Sequence, residues 1–227
     1  MATKIKIIII MKYIFTLISL IAFASCATTN YLTIEIKEAA SVTFPNDVKN
    51  VLIVDNGASQ KVGEGDASSP AILSNDSAKA IMLNSLKKFM NEEKYFDRVE
   101  LYSKKTNSSD SLGEIRLLSP SKVRALIREN KADALISLDI YIVSAEIESA
   151  SIYYFNDYKT LCTRAGGILR IYGANGSMII RPVVFLDSLF REGGEDWSRR
   201  KTKINELNEL ISEISVKTAD NLTGAFI

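Results

Sequence analysis

The chain has 227 residues, with 28 Lys+Arg, 27 Asp+Glu, no histidine, two cysteines and a formal charge of +1. Removing residues 1–25 takes away Lys4, Lys6 and Lys12 and no acid, leaving 25 basic against 27 acidic residues, a charge of −2. That balance excludes a sequence-independent nucleic-acid binder, which needs a basic surface; the missing histidines exclude the usual Ser-His-Asp, Cys-His and His-zinc sites, and two cysteines make neither a Cys-rich zinc site nor a disulfide framework.

The first segment in chain order is Met11-Lys12-Tyr13 through Phe23-Ala24-Ser25-Cys26. Its lysines hold an n-region on the cytoplasmic side. Residues 13–23 are apolar, long enough to engage a translocon and too short for a lasting span. Ala24 and Ser25 are small, so a peptidase can reach the bond before Cys26. Phe23 stands where such signals usually carry Leu, Val or Ile. The pattern reads as a lipoprotein signal over 1–25, with Met11 the better start and Cys26 the lipidated residue. The alternatives are secretion without lipid and a retained N-terminal anchor. No second run of about 18 apolar residues follows. Residues 27–33 carry no acidic cluster and no Asp follows Cys26, which favours an outer-membrane protein facing the periplasm.

Residues 26–40 read as a lipidated tether with an edge strand in the alternating Leu32–Ile36, and 41–227 as a single α/β domain. Phe44-Pro45-Asn46-Asp47 is a turn. Val51-Leu52-Ile53-Val54-Asp55 is a continuous apolar run, typical of a strand buried on both faces. Residues 57–76 form a long Gly/Ser/Asp-rich loop. A helix capped by Asp76 or Ser77 follows through about Asn91, with Ala78, Met82, Leu86 and Phe89 on one stripe. Residues 97–102 form a second strand and 103–114 a polar loop. Ser119-Pro120 opens a helix burying Val123, Leu126 and Ile127. Residues 132–139 are a third strand with an extension toward Val143.

This β-α-β-α-β order predicts a sheet flanked by helices. Gly167–Arg181 reads as an antiparallel hairpin turning at Asn175-Gly176, with 182–187 extending its second arm. A last helix spans roughly 201–222, and the apolar end at 223–227 suggests docking onto the core or an early stop. The fold class expected is therefore α/β (α+β), a mixed sheet followed by an antiparallel hairpin and a C-terminal helix.

The signal ending Ala24-Ser25-Cys26, the segments Val42-Thr43-Phe44-Pro45 and Val48–Val54, Ala132–Asp139, Arg170-Ile171-Tyr172 and Asn175-Gly176 together resemble a family of Bacteroidetes lipoproteins of unknown function. Members of that family are longer, with a helical region after the final helix, which makes a truncated, non-functional paralogue one expectation. At fold level the Val51 and Ala132 strands are similar to envelope lipoproteins of the curli-secretion and penicillin-binding-protein-activator type. That resemblance implies a non-enzymatic assembly or interaction role, by analogy of fold only.

Candidate chemistry is sparse. Asp55 and Asp139 each close an apolar strand, where open parallel sheets bind ligands. A carboxylate- or Mg²⁺-dependent hydrolase would need them within metal-sharing distance, about 8 Å or less. Asp55 superficially resembles the nucleophile of haloacid-dehalogenase phosphatases, but Gly57 stands where a second Asp is required. The bland alternative has both aspartates capping strand ends in water. Gly63-Glu64-Gly65 lacks the glycine spacing of a phosphate loop. Tyr153-Tyr154-Phe155 with Tyr158 reads as packing before a partner contact, Cys162 as a half-buried packing thiol, and Arg199-Arg200-Lys201 as a solvated charge run. The leading expectation is a non-catalytic envelope module with the membrane as partner through its lipid, an unidentified envelope protein as a further partner, and no cofactor, metal or nucleic acid.

Overall fold

The computed structural model describes residues 42–58, 73–107, 115–150, 158–192 and 200–226. These belong to one compact unit, Glu38–Ile227. Cys26, the expected tether and edge strand, Gly63-Glu64-Gly65, Tyr153-Tyr154-Phe155 and Arg199 lie outside the described residues.

Eight elements follow in chain order: β1 (Asn50–Asp55), α1 (Asn75–Glu92), β2 (Arg98–Leu101), α2 (Pro120–Asn130), β3 (Ala134–Ala150), β4 (Tyr158–Gly173), β5 (Val183–Glu192) and α3 (Arg200–Phe226). They form a five-stranded sheet of order β2-β1-β3-β4-β5. β1 runs parallel to β2 and β3, whereas β3–β4 and β4–β5 are antiparallel. The mixed sheet, the antiparallel pair and the C-terminal helix are those the residue pattern predicts.

The two crossovers move in opposite directions along the sheet. With the same hand, they must place their helices on opposite faces. Accordingly α1 packs Ala78, Met82, Leu86 and Met90 against Val51, Ile53 and Ile136 on one face, here the inner one. α2 packs Val123, Leu126 and Ile127 against Leu52, Val54 and Leu135 on the other, outer face. α3 joins α1 on the inner face, its Ile211, Ile214, Leu222 and Phe226 completing that core.

Local chemistry sets the helix ends. Ser74, rather than Asp76 or Ser77, caps α1: its hydroxyl accepts from the Ser77 N–H at 3.2 Å. Ser119 caps α2 as expected, with Pro120 in the first turn. The last carbonyls of α2 are satisfied by Arg98, which donates to Asn130 O at 2.8 Å and Lys131 O at 3.0 Å.

Three strand expectations need correction. β3 continues through Ala150, well past Val143, and pairs along its length with β4, which begins at Tyr158 rather than Gly167. The Asn175-Gly176 turn exists, with Gly176 at φ +83°, but its return arm makes only one bridge, Tyr172 to Met178. On the side away from β3, β4 pairs antiparallel with Val183–Glu192, a strand that includes most of the 182–187 stretch expected to extend the return arm. The third correction concerns Asp139, which does not end a strand. Leu138 opposes Leu169 while Ile140 opposes Ile168, so Asp139 is the extra residue of a β-bulge.

Gly167 lies beside the bulge. A Cβ there would sit 2.2 Å from Ile140 O and 2.6 Å from Phe185 Cζ. A glycine readable as a strand boundary is instead a close approach of backbone within a strand.

Helix lengths decide which parts of the sheet stay open. α2, with 11 residues, is about 16 Å long. β3, with 17 residues, is about 56 Å long. α3, with 27 residues, reaches about 40 Å along the inner face. The inner face is therefore covered, and the β3–β5 end of the outer face lies beyond the reach of α2.

Candidate functional site

Asp55 and Asp139 both lie near the carboxyl end of the parallel pair β1–β3, but strand alternation sends them to opposite faces. Asp55 follows Val51 and Ile53 onto the inner side. There its Oδ1 lies 3.2 Å from Lys79 Nζ and accepts the Gly57 N–H at 3.0 Å. Lys79 is a buried lysine on α1 that also meets Asp76 at 3.2 Å and donates to Ala58 O at 3.3 Å. Lys105 reaches Asp76 at 3.5 Å. Burial lowers the Lys105 pKa, and the neighbouring Lys79 charge lowers it further, against the raising pull of Asp55 and Asp76. Two acids and two lysines thus neutralise one another.

The bulge turns Asp139 to the outer side, under α2. It is buried, and its carboxylate accepts from Ser137 Oγ at 2.6 Å and Asn56 Nδ2 at 2.8 Å and is ion-paired with Arg170. Asn56 also donates to Arg116 O at 2.6 Å and accepts from Thr106 Oγ1 at 2.7 Å. Tyr172 lies close by: burial raises its pKa, Asp139 adds to the rise and Arg170 opposes it. Asp139 therefore does not face water, contrary to the strand-end reading. The sheet backbone separates it from Asp55, and each carboxylate has its own cation. Among the described residues, no group of three or more His, Cys, Asp or Glu is placed to hold a metal ion.

Cys162 is a buried thiol on the outer side of β4. Tyr158 begins β4. Arg200 and Lys201 fall within α3.

The outer face of the β3–β5 end is the feature that residue reasoning missed. On β5, Val184, Leu186 and Phe190 are 73%, 78% and 61% exposed, while Val183, Phe185 and Leu189 turn inward to the core. Register places Ile168 and Ile142 beside them, and Met178 shares a side with Tyr172. Ile142 and Met178 are 46% and 49% exposed. The signal was present in Val183-Val184-Phe185-Leu186: apolar residues on both faces of a strand at the sheet edge, where among the described residues only one face has a helix to cover it. Contiguous apolar exposure of this kind marks contact sites.

The surroundings of this stripe are charged unevenly. Toward α2, Arg124 and Arg128 line a groove of about 400 Å³ with Ser121, Ala125, Ile127 and Ala174. Arg124 also donates to Asn175 O at 3.1 Å, fixing the groove against the turn. At the far end stand Glu146 and Glu192, with Arg164 3.7 Å from Glu146.

Comparison with known proteins adds a family and a fold likeness. The model described as Domain of unknown function (DUF8603) matches residues 48–227. No curated protein matches. A minor lipoprotein from Acinetobacter baumannii is similar at TM-score 0.44 and 10% identity, covering 79% of this chain and 90% of that one. The hypothetical protein CT253 of Chlamydia trachomatis gives 0.40 and 12%, covering 78% and 97%. The rare lipoprotein B of Shewanella oneidensis gives 0.34 and 12%, covering 76% and 89%.

Proposed function

Because the chain belongs to the DUF8603 family, whose description assigns no activity, we propose from its own residues that it is a lipid-anchored envelope protein acting as a non-catalytic interaction module. The observation that carries the reading is the apolar outer face of β5, displayed on a sheet whose Asp55 and Asp139 are each paired with a cation. A surface of that kind contacts other molecules; neutralised aspartates on opposite faces do not divide a metal between them. Among the described residues, no helix is long and apolar enough to cross a membrane. In this reading attachment comes from acylation of Cys26, supported by the order lysine, apolar core, Ala24-Ser25 and cysteine. The outer membrane, facing the periplasm, is the address that the residues after Cys26 support, and the Bacteroidetes resemblance is consistent with it.

The test is intact mass and membrane fractionation of the protein from its native envelope, beside Cys26→Ala. A mature chain starting at residue 26 with added acyl mass, absent from the variant, supports the anchor. An unmodified chain in the soluble fraction rejects it.

A further inference from the structure

We propose that the outer face of β3–β5 binds a second copy of this chain, in a two-fold, antiparallel arrangement. The inference narrows the interaction-module reading and rests on it for treating this face as an interface; it does not require the lipid.

The argument is the charge layout. The stripe of Met178, Val184, Leu186, Ile142 and Phe190 starts at a basic end, Arg124 and Arg128; at its other end Glu146, paired with Arg164, lies in register with Phe190, and the exposed Glu192 stands beyond. The groove end lies near Ala174, just past the end of β4 at Gly173, and Glu192 opposes Thr160 on the same strand. The centre of the face therefore falls near Gly166 and its partner Leu186. A two-fold axis there brings Glu192 of each copy to the arginine-lined groove of the other, twice over. Arginine forks suit carboxylates in that role. The same axis lays the apolar stripes across one another. An isologous contact must be self-complementary in this way. A lipid surface of one charge sign would attract one end of the face and repel the other, and an unrelated protein would have to reproduce the same polarity.

From the groove to Glu192 the face runs along thirteen residue steps of β4, about 43 Å. β5 flanks nine of those steps, Thr160–Leu169, about 30 Å, where three strands make the face about 14 Å wide. That plane of ~400 Å² is about half of the ~800 Å² per partner of a stable interface, and the groove beside α2 adds to it. Pairing by the β5 edge is the less suitable route, because Lys217 Nζ, reaching over from α3, already donates to Ser188 O at 3.1 Å and covers that part of the edge.

The experiment is photo-crosslinking of the full chain in its native envelope, with p-benzoylphenylalanine in place of Phe190. The expected product has twice the monomer mass and yields peptides of this chain alone. Leu186→Glu added to the probe chain should lower its yield about tenfold or more by setting a carboxylate at the apolar centre. An unchanged thermal unfolding midpoint shows that this exposed substitution leaves the fold intact. Should Leu186→Glu unfold the chain, Leu186→Asn takes its place, with the same loss of doubled product expected. Adducts only with another protein, adducts only with lipid, no adduct, or a yield untouched by Leu186→Glu in a folded chain would each overturn the proposal. A Cys26→Ala chain that is soluble yet still gives the doubled product would reject the anchor and leave the pairing standing.

Discussion

Arg170 and Asp139 form the most consequential pair at the level of single residues. The Asp139 side chain is fully buried, so its charge depends on Arg170, Ser137 and Asn56 for compensation. Arg170→Met leaves that carboxylate uncompensated and should cost about 3–5 kcal/mol. Combining it with Asp139→Asn should recover at least half of the loss, read from urea unfolding midpoints; equal losses in single and double variants would show that the charge itself is not what matters. Tyr141 supplies a pH dependence. Burial pushes its hydroxyl up to about 12, opposed by the hydrogen bond to Ser215 and aided by Asp187. The folded pKa therefore exceeds the unfolded value. The associated stability is present below about pH 10 and is lost as pH rises through about 12. Tyr141→Phe should flatten that alkaline decline while costing about 1 kcal/mol at pH ~8, since the 2.9 Å bond to Ser215 goes. Unfolding curves at about pH 8 and 11.5 compare the two slopes, and identical slopes would refute the assignment.

The contrast between β1 and β3 explains, at the level of elements, what the residue pattern could reveal. Val51–Val54 is apolar throughout, and β1 is buried on both faces between parallel neighbours, so composition and environment agree. Ser119-Pro120 likewise marked the start of α2 because capping is local chemistry. β3 is different beyond Asp139. Among the described residues no helix lies above its outward Ser144 and Glu146, which have little strand propensity, and its pairing comes from β4, a partner whose Gly166-Gly167 looks like an interruption. The bulge was equally hidden, because it exists only as a relation between two strands. Asp55 ends β1 as expected, whereas Asp139 lies inside β3, and which face each occupies depends on that bulge and on the crossovers. Gly167→Ala tests the relation. With its Cβ inside contact distance of Ile140 O and the Phe185 ring, it should destabilise the chain by about 2 kcal/mol or more. Amide-exchange protection should fall first around residues 138–142 and 183–187; a loss spread evenly over the sheet would argue against a local bulge effect.

For the whole molecule, the inner core joins residues far apart in the chain, and its energetics should be shared. Phe226 in the last turn of α3 is buried against Phe44 at 5.9 Å, edge to face, and Phe44 meets Phe96 at 5.0 Å. The Val42 N–H donates to Ala225 O at 3.0 Å, tying the segment before β1 to the end of α3. The apolar residues 223–226 therefore dock onto the core and continue α3, four residues beyond the expected end. This contact is long-range, so no local pattern encodes it; only the unbroken apolar spacing through Leu222 and Phe226 hints at it. Phe226→Ala removes a ring from a closely packed site and should cost about 3–5 kcal/mol. If α3 and the sheet form one cooperative unit, the urea transition should move to lower midpoint with unchanged steepness. A shallower or two-step transition would mean that the end of α3 unfolds separately, and that the covering of the inner face, on which the exposure of the outer face alone depends, is local rather than global.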